Sequence, residues 1–475
     1  MNACQIGMSL AIAAVLLAAS SRAAETALQP VVEVEEVVYE YTSADNGAGP
    51  MWCHGSTCLV RLGDALFASG LETIPHEKPL NNCRWTFWRR GPEGWTLLQK
   101  DPAGRTREPC PLAAFPEPGR VFLSANPTLN PPGQAGGGPA RPVLFEFTAA
   151  DASAPPGSHW PGWRNHPAPP AFTEHSYRSL AADGPGRELI LFQNIGYTHA
   201  EWAFRDRDGN WNAQGQLKWP WGAEYDTPQP IRVCYPNVAL RARAVHFVGV
   251  SDIVEPYAKW RQAKRELTGQ EWDYDFRRLF YTWSPDIARG GFRDWVEIAS
   301  RDKTCGWVSP GDLWVAPDGA VHIVWTERAL DERLRAKFFP NEKQRHELNY
   351  AVVREGRVRL RRTLLAADEG RPGLVASLPR FQPLPDHRLC VFFHVQGADE
   401  TGKAVAENRL LDLGSEGSPG PMISVPLRHP LASYFTATVR AGSAPSWTLD
   451  LLGTRSDQPN AMCYARVRIE GGAPP

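Results

Sequence analysis

Seven copies of one strand–turn–strand pattern set the strongest limit on how this chain can fold. In each copy a short strand-like run precedes a turn rich in Gly, Asp or Pro, and a more apolar run follows the turn. Residues 312–316 (DLWVA), followed by residues 320–326 (AVHIVWT), show the pattern clearly. The copies recur at intervals of roughly 60 residues, and such self-similarity is the signature of a repeat architecture. Equivalent early positions in the seven copies are His54, Cys110, Tyr177, Tyr235, Asp312, Ser377 and Tyr434.

Each copy also contains a second, outer pair of strands. Residues 85–88 (WTFW) turn into 95–98 (WTLL), and residues 348–354 turn at Glu355-Gly356 into 358–364, which are hairpin signals. Four antiparallel strands per copy, repeated radially, predict an all-β fold, a seven-bladed β-propeller. Two stacked β-sandwiches are the alternative, and the number of repeats argues against them.

The seventh copy lacks a fourth strand after residues 464–469. The alternating run at residues 31–41 (VVEVEEVVYEY) has the right pattern to supply that strand. We therefore predict that this N-terminal strand closes the ring, which removes an exposed sheet edge at each end of the chain.

The first residues have the character of a targeting segment. Residues 8–19 (MSLAIAAVLLAA) are apolar but too few to span a bilayer, and Ser21-Arg22-Ala23 forms a small-x-small cleavage site. We predict a signal peptide over residues 1–23 and a single propeller domain over residues 24–475, in a secreted or periplasmic protein. A disordered or anchoring N-terminus is the alternative, because the segment before the apolar run lacks Lys and Arg.

Composition limits the classes of partner. The 51 Lys and Arg residues balance 52 Asp and Glu residues, for a formal net charge of −1. This balance gives no electrostatic reason to expect nucleic acid or a membrane surface as a partner. We expect neither, and we expect a monomer.

Cysteine usage agrees with export. Eight of the nine cysteines remain once Cys4 is removed with the signal peptide, and an even number permits full pairing. We predict disulfides, either Cys53–Cys58 or Cys83–Cys110. A zinc site is the alternative, but no C-x-x-C spacing occurs, so we predict no metal ligand and no cofactor. Whether a structural calcium is present stays open.

Two segments carry a resemblance to a known superfamily. They are residues 309–325 (SPGDLWVAPDGAVHIVW) and the degenerate box at residues 284–295 (SPDIARGGFRDW). The chain resembles the sialidase-like, BNR/Asp-box repeat propellers, and in particular the divergent BNR-repeat proteins of secreted bacterial polysaccharide-degrading sets. In such proteins the box stabilises an outer-strand turn and takes no part in catalysis. The resemblance implies a propeller that acts on carbohydrate.

The direction of the strands indicates which face would bind a ligand. In a four-stranded blade, the loop leading into the inner strand and the loop after the second strand lie on one face of the ring. The longest insertions, at residues 126–142, 252–278 and 327–347, follow second strands and belong to that face. Long loops on a rigid scaffold are where binding usually occurs.

The most suggestive cluster on this face is the segment 173–178 (TEHSYR). If the inner strand begins near Tyr177, alternation places His175 and Tyr177 on one side and Arg178 on the other. A His and a Tyr can transfer protons, and an Arg can neutralise a carboxylate, as β-elimination from a uronic-acid sugar requires. The chain is similar in this respect to propeller-type polysaccharide lyases. We predict His175, Tyr177 and His54 as catalytic residues. Packing between blades is the alternative role for His175 and Tyr177, and a structural role beside a disulfide is the alternative for His54.

Other residues at the same end of the blades are candidates for substrate binding. They come from loops that lead into inner strands or follow second strands: Arg178, Arg232, Tyr235, His394 and Tyr434. For His394 a position facing the core is the alternative, because it follows an apolar run.

The function that this sequence favours is cleavage of a uronic-acid-containing polysaccharide by a lyase, with a polysaccharide or oligosaccharide as partner. The alternatives are a glycoside hydrolase of the sialidase-like superfamily and a non-catalytic glycan-binding or scaffold propeller. The sequence lacks the Arg-Ile-Pro motif of true sialidases and the G-x-S-x-G elbow of α/β-hydrolases.

Overall fold

The computed structural model describes residues 28–52, 55–165, 168–414 and 419–471. The predicted signal peptide at residues 1–23 lies outside these ranges, so it and the domain boundary after it stay predictions. The described residues form seven four-stranded antiparallel sheets, which are the blades of the predicted β-propeller.

Blades one to three are each built from four consecutive strands, with the inner strand first. The strands up to the end of blade three are β1 (Gln29–Glu40), β2 (Leu59–Leu62), β3 (Ala65–Thr73), β4 (Cys83–Gly91), β5 (Gly94–Lys100), β6 (Leu112–Phe115), β7 (Arg120–Ala125), β8 (Val143–Thr148), β9 (Gly157–His159), β10 (Ser179–Asp183), β11 (Glu188–Ile195), β12 (His199–Arg205) and β13 (Ala213–Lys218). Blade one comprises β2–β5, blade two β6–β9 and blade three β10–β13.

Blades four and five carry insertions between their second and third strands. From the link after blade three to the end of blade five, the elements are β14 (Trp221–Gly222), β15 (Gln229–Pro230), β16 (Val233–Arg241), β17 (Ala244–Ser251), β18 (Ile253–Val254), α1 (Ala258–Thr268), β19 (Tyr274–Asp275), β20 (Arg278–Ser284), β21 (Val296–Ser300), β22 (Trp307–Val315), β23 (Val321–Arg328), α2 (Glu332–Phe338), β24 (Arg345–Arg354) and β25 (Arg357–Asp368). Short 3₁₀ turns lie at Ala149–Asp151, Gly162–Asn165 and Asp302–Thr304.

The last two blades complete the ring. Their strands are β26 (Leu374–Pro383), β27 (Leu389–Ala398), β28 (Ala404–Asp412), β29 (Met422–Val425), β30 (Leu431–Thr436), β31 (Thr448–Arg455) and β32 (Gln458–Glu470). Blade seven has the strand order β1-β32-β31-β30, so the N-terminal strand supplies its outer edge. Gln29 lies opposite Glu470 and Glu40 opposite Ala461, which confirms the predicted closure.

The apolar core is divided into layers between neighbouring blades. Phe67 and Phe87 of blade one pack with Phe147 of blade two, for example, and Phe392 of blade six packs with Tyr434 of blade seven. The inner strand of each blade contacts that of the next, and β30 contacts β2. Because every blade buries both faces of its sheet, the core depends on the ring being complete.

A loop of blade seven fills the centre of the ring. This axial loop, residues 437–447, joins β30 to β31, and the Arg440 side chain within it is 6% exposed. Arg440 pairs with Asp312 of blade five at 2.6 Å. It also donates to the carbonyl oxygens of Gly55 at 2.9 Å and Val238 at 3.2 Å, in blades one and four. One guanidinium group therefore connects three blades to the seventh.

The insertions of blades four and five form a two-helix cap, residues 252–277 and 329–344. A buried charge cluster holds the cap to the ring. Lys264 in α1 lies 2.7 Å from the Glu255 carboxylate, and Arg277 lies 3.1 Å from the same carboxylate. All three side chains are at most 4% exposed. Buried charges of this kind are tolerated because they are paired.

The degenerate box at residues 284–295 connects β20 to β21, the outer pair of blade four. Ser284 Oγ donates to the Gly290 carbonyl oxygen, and Trp295 Nε1 donates to the Lys218 carbonyl oxygen of blade three. This is the outer-turn position that the resemblance implies. The superfamily assignment itself stays a prediction.

The predicted Cys83–Cys110 disulfide is wrong, because Cys83 carries a thiol. The two side chains lie in different surroundings: Asn46 Nδ2 donates to Cys83 Sγ at 3.6 Å, whereas Arg178 Nη2 lies 3.7 Å from Cys110 Sγ. Burial raises the pKa of the Cys83 thiol to about 11, so it is a poor nucleophile at neutral pH.

The other disulfide prediction, Cys53–Cys58, involves a residue outside the described ranges and is left untested. Four further cysteines are buried thiols, namely Cys234, Cys305, Cys390 and Cys463. Cys390 and Cys463 pack in the apolar core, whereas Cys234 accepts a hydrogen bond from Asn194 Nδ2 at 3.3 Å and Cys305 accepts one from Arg277 Nη1 at 2.9 Å. In the described ranges, no helix has both the length and the apolar composition that crossing a membrane would need.

Candidate functional site

Three loops that lead into inner strands meet on one face of the ring. They bring together Trp52 of blade one, Glu108 of blade two and His175 of blade three. The Trp52 and His175 rings lie 5.8 Å apart, and His175 Nδ1 lies 2.7 Å from Glu108 Oε1. Gly55, at the end of the first loop, is pressed against blade four, since a Cβ there would lie 1.7 Å from the Pro236 carbonyl oxygen. Because blades one and four are not neighbours, this contact places the site near the axis.

A buried glutamate orients the histidine. The Glu108 side chain is 4% exposed and also accepts hydrogen bonds from the backbone N–H of Ser176 at 3.1 Å and its hydroxyl at 3.2 Å. Burial would raise the pKa of Glu108, but the hydrogen bond from His175 and the charge of Arg178 outweigh it and hold the pKa below its ordinary value. An ionised carboxylate only accepts hydrogen bonds, so His175 Nδ1 is the donor, and in the neutral form of the ring Nε2 is the acceptor.

Two tyrosines lie beside the histidine. The Tyr177 ring is 4.4 Å from that of His175 and 5.1 Å from that of Tyr235. Both tyrosines adopt positive φ, 39° and 51°, which is uncommon outside glycine and aims each side chain away from the regular strand direction. Burial, reinforced by the Asp252 carboxylate, raises the pKa of Tyr177 well above its ordinary value, so this hydroxyl keeps its proton at neutral pH.

Arg232 forms the cationic side of the site. Its Nη2 lies 2.9 Å from the Asp252 carboxylate, and its Nε donates to the Asp252 carbonyl oxygen. The guanidinium group is enclosed by tyrosine rings, with its carbon 4.1 Å from the Tyr197 centroid, 5.5 Å from Tyr177 and 5.6 Å from Tyr274. Such cation–π contacts fix the charge beside Tyr177.

Arg178 is buried beside Glu108, at the base of the site. The residue is 6% exposed, and its Nη2 donates to the backbone carbonyl oxygens of Glu108 and Pro109. Its charge lies beneath a small cavity of about 20 Å³ that Trp52, Tyr177 and Tyr235 also line. Arg178 therefore supports the Glu108–His175 pair from below.

His394 and Tyr434 do not join this cluster. His394 lies in β27, where its Nδ1 is 3.4 Å from Ser377 Oγ. Tyr434 is 1% exposed in the layer between blades six and seven, and its hydroxyl donates to the Leu378 carbonyl oxygen. His54 lies outside the described residues, between Trp52 and Gly55, which both line the site.

Glu108 and Trp52 were not singled out from the sequence, although a signal for them exists. His175 stands two residues before the repeat marker Tyr177. The same offset from the markers Cys110 and His54 gives Glu108 and Trp52. Reading the repeats in register by this offset finds all three residues that meet on the face. No comparable signal exists for Asp252. It is the first residue after β17, so its pairing with Arg232 depends on the position at which that strand stops.

A larger cleft lies elsewhere in the described part of the chain. It has a volume of about 620 Å³ and opens between blades seven and one, beside Glu40, Tyr41 and Glu72. No histidine or arginine is among its described lining residues. The cluster around His175 is therefore the better candidate for an active site, because it contains a histidine and arginines, although its cavity is smaller.

Together these groups can both accept a proton from a ligand and donate one to it. His175 Nε2 can accept a proton, since Glu108 holds Nδ1–H. The Tyr177 hydroxyl can donate one, since it stays protonated at neutral pH. Arg232 adds a positive charge beside Tyr177, 5.5 Å from the centre of its ring, and a fixed cation of this kind assists general acid–base chemistry.

No protein-family model and no curated protein sequence matches this chain. Among solved structures it is similar to a polysaccharide lyase, with 10% identity and a TM-score of 0.47 over 93% of this chain and 98% of that one. It is also similar to a puromycin-hydrolyzing peptidase of Mycobacterium tuberculosis, with 13% identity and a TM-score of 0.45 over 92% of this chain and 55% of that one. The α-L-arabinanase of Penicillium chrysogenum has 12% identity and a TM-score of 0.41 over 92% of this chain and 98% of that one. These likenesses concern the fold alone.

Proposed function

We propose that the protein is a lyase that cleaves a uronic-acid-containing polysaccharide by β-elimination. The observation that carries the proposal is the pairing of His175 with Tyr177, whose rings lie 4.4 Å apart while Glu108 holds His175 Nδ1 at 2.7 Å. A proton acceptor and a proton donor this close together, with a cation beside the donor, can act on the same face of one sugar ring.

In the proposed reaction His175 Nε2 removes the proton next to the uronate carboxylate. The electron pair of that C–H bond forms the new C=C double bond, and the bond from the ring to the glycosidic oxygen breaks. The Tyr177 hydroxyl gives its proton to the leaving oxygen. The proton held by His175 then returns to the Tyr177 phenolate through solvent, so the enzyme is restored without a co-reactant.

Arg232 has the electrostatic role in this proposal. Negative charge accumulates on the substrate carboxylate as the neighbouring proton leaves, and a fixed cation lowers the energy of that state. Asp252 and the enclosing tyrosines hold the guanidinium group in place before substrate arrives, so no reorganisation is needed at the moment of reaction.

The first prediction concerns Tyr177→Phe. This change keeps the ring and its packing but removes the hydroxyl, so we expect unchanged thermal unfolding and a fall in kcat of about 100-fold or more. The measurement is the ultraviolet absorbance of the unsaturated product formed from a panel of polyuronates. Tyr41→Phe removes a hydroxyl in the cleft between blades seven and one and is the matched control. A Tyr177→Phe protein that turns over at the wild-type rate would exclude the assignment.

A second candidate function is glycan binding without cleavage. The observation in its favour is that each arginine of the site already has a carboxylate neighbour: Asp252 for Arg232, and Glu108 for Arg178. A site with balanced charges and exposed aromatic rings also suits a neutral glycan. Binding of glycans in the absence of any unsaturated product would favour this alternative.

A further inference from the structure

A second aromatic surface adjoins the candidate site. A cavity of about 190 Å³ lies on the far side of Tyr235 and is lined by Phe276, Trp307, Ser309 and Arg380, among others. Tyr235 belongs to both sites, since it also lines the small cavity beneath Tyr177. The two cavities therefore share a wall.

The local backbone explains why aromatic rings face this cavity. In the segment Tyr274-Asp275-Phe276-Arg277 successive side chains alternate in direction, as in a strand. Asp275 and Arg277 point into the buried charge cluster, where they lie 3.0 Å apart. Tyr274 and Phe276 consequently point the other way, towards Arg232 and Tyr235.

Trp307 completes the surface from blade five. It is the first residue of β22, its ring lies 4.6 Å from that of Phe276, and 40% of the residue is exposed. The rings of Tyr177, Tyr235, Phe276 and Trp307 follow one another at centroid separations of 5.1, 5.8 and 4.6 Å. The Arg328 guanidinium carbon lies over the Trp307 ring, 5.8 Å from its centroid, and the exposed remainder of the indole is open to a ligand.

We infer that this cavity binds one sugar ring, the neighbour of the ring placed at Tyr177. The inference rests on the proposed function, because it assumes that a glycan occupies the first site. A pyranose presents C–H groups on one face, which pack on an aromatic ring, while its hydroxyls hydrogen-bond at the edge. Trp307 and Phe276 supply the aromatic surface, and Ser309 supplies a hydroxyl.

The size of the cavity sets how much of the glycan it takes. At about 190 Å³ it is smaller than the roughly 300–1,000 Å³ of sites for drug-sized molecules, so it accommodates a single ring. Because Tyr235 lines both cavities, a ring in the second cavity lies next to a ring at Tyr177 and can be its neighbour in one glycan chain. The cavity beneath Tyr177, about 20 Å³, is too small for a sugar ring, so the first ring lies above it against Tyr177. The smallest substrate that contacts both Tyr177 and the second cavity is thus a disaccharide.

The test is the dependence of binding on chain length. Oligouronates and neutral xylo-oligosaccharides of two to six residues are titrated calorimetrically into the wild-type protein and the Trp307→Ala variant. We expect Trp307→Ala to weaken binding of the longer oligomers of one series roughly three- to tenfold, with little effect on a monosaccharide. Trp307→Phe should recover most of the loss. Trp221→Ala is the matched control, since Trp221 is 60% exposed and lines neither cavity.

The outcomes separate this inference from the proposed function. Length-dependent binding that Trp307→Ala abolishes supports the subsite even if no unsaturated product forms, in which case the lyase proposal fails. Cleavage of oligouronates with a KM that Trp307→Ala leaves unchanged at every length supports the lyase and overturns the subsite. If no oligomer of either series binds or is cleaved, both proposals are overturned.

Discussion

Two histidines in neighbouring blades share one buried arrangement. His246 Nδ1 lies 2.9 Å from the Tyr281 hydroxyl in blade four, and His322 Nδ1 lies 2.7 Å from the Tyr350 hydroxyl in blade five. In both blades the histidine is on the second strand and the tyrosine on the third. Burial lowers the pKa of each histidine to about 4. Both are therefore neutral in the folded protein at ordinary pH.

These pKa values predict how stability depends on pH. The unfolded chain, with ordinary histidine pKa values near 6.5, takes up protons first on acidification. Between pH 6.5 and 4 the free energy of unfolding should therefore fall by about 1.4 kcal/mol per pH unit for each histidine. Full stability from this source is present above pH 6.5.

The measurement is chemical denaturation over this pH range for the wild type and for His246→Gln/His322→Gln. Gln can still hydrogen-bond but does not titrate, so the double variant should lose this part of the slope. His387→Asn, at an exposed turn with a φ of 72° that Asn tolerates, is the control and should keep the wild-type slope. Equal slopes in all three proteins would show that the buried histidines do not govern acid sensitivity.

At the scale of elements, irregular starts of inner strands shape the site face. The ladders of blades four, five and six each break near the start of the inner strand, at Tyr235-Pro236, Gly311 and Leu378-Pro379. Such bulges redirect side chains and often lie next to functional sites. Here they bring Tyr235 and Leu378 to the wall of the second cavity.

The two-helix cap is the element whose position depends most on buried charge. Arg277 lies 3.1 Å from Glu255, 3.0 Å from Asp275 and 3.1 Å from Asp302. Arg277→Met leaves these carboxylates without their shared cation, and breaking a buried pair in this way typically costs about 3–5 kcal/mol. We expect the cap to open before the ring does, which would displace Tyr274 and Phe276 from the site.

Hydrogen exchange resolved by peptide would detect this local opening. Amides of residues 252–277 should exchange faster in Arg277→Met, while those of β2 and β3 should not. Arg289→Met is the control, because the Arg289 side chain is 79% exposed and its pair with Asp286 contributes little. Uniform acceleration across all blades would mean that the cap does not unfold as a separate unit.

At the scale of the whole molecule, the axial loop links blade seven to blades one, four and five. Arg440→Met leaves Asp312, which is 1% exposed, without its cation, and we expect a loss of about 3–5 kcal/mol in the free energy of unfolding. Arg440→Met/Asp312→Leu should recover part of it, because the buried charge is then gone. Arg354→Met breaks an exposed pair with Asp318 and should change stability by at most about 1 kcal/mol. If Arg440→Met unfolds at the same denaturant midpoint as Arg354→Met, this role of Arg440 is contradicted.

The architecture was predictable from the sequence because its evidence is local. Strand alternation, turns such as Glu355-Gly356 and the spacing of the repeats can all be read from short windows. At Glu355-Gly356 both residues have positive φ, 50° and 73°, as a two-residue hairpin turn requires. The missing fourth strand of the last repeat likewise indicated how the ring closes.

The site was predictable only where repeat register carried the information. His175, Tyr177, Tyr235 and Arg232 come together because equivalent ends of the blades meet at the axis. Tyr434 occupies an equivalent repeat position but enters the layer between blades, and nothing in its local sequence distinguishes it from Tyr235. The Cys83–Cys110 expectation failed for a similar reason, since an even number of cysteines does not say which thiols face each other.

The pairing of β1 with β32 also determines when the ring can close during synthesis of the chain. β1 is the earliest strand of the ring to leave the ribosome, and its partner β32 is the latest. Until β32 is made, β1 has no partner and blade seven cannot form, so the layers beside it stay open to solvent. The ring therefore cannot be finished blade by blade as the chain emerges. Its last step joins segments more than 400 residues apart, which favours folding after release and leaves a long interval in which a chaperone can hold β1 unpaired.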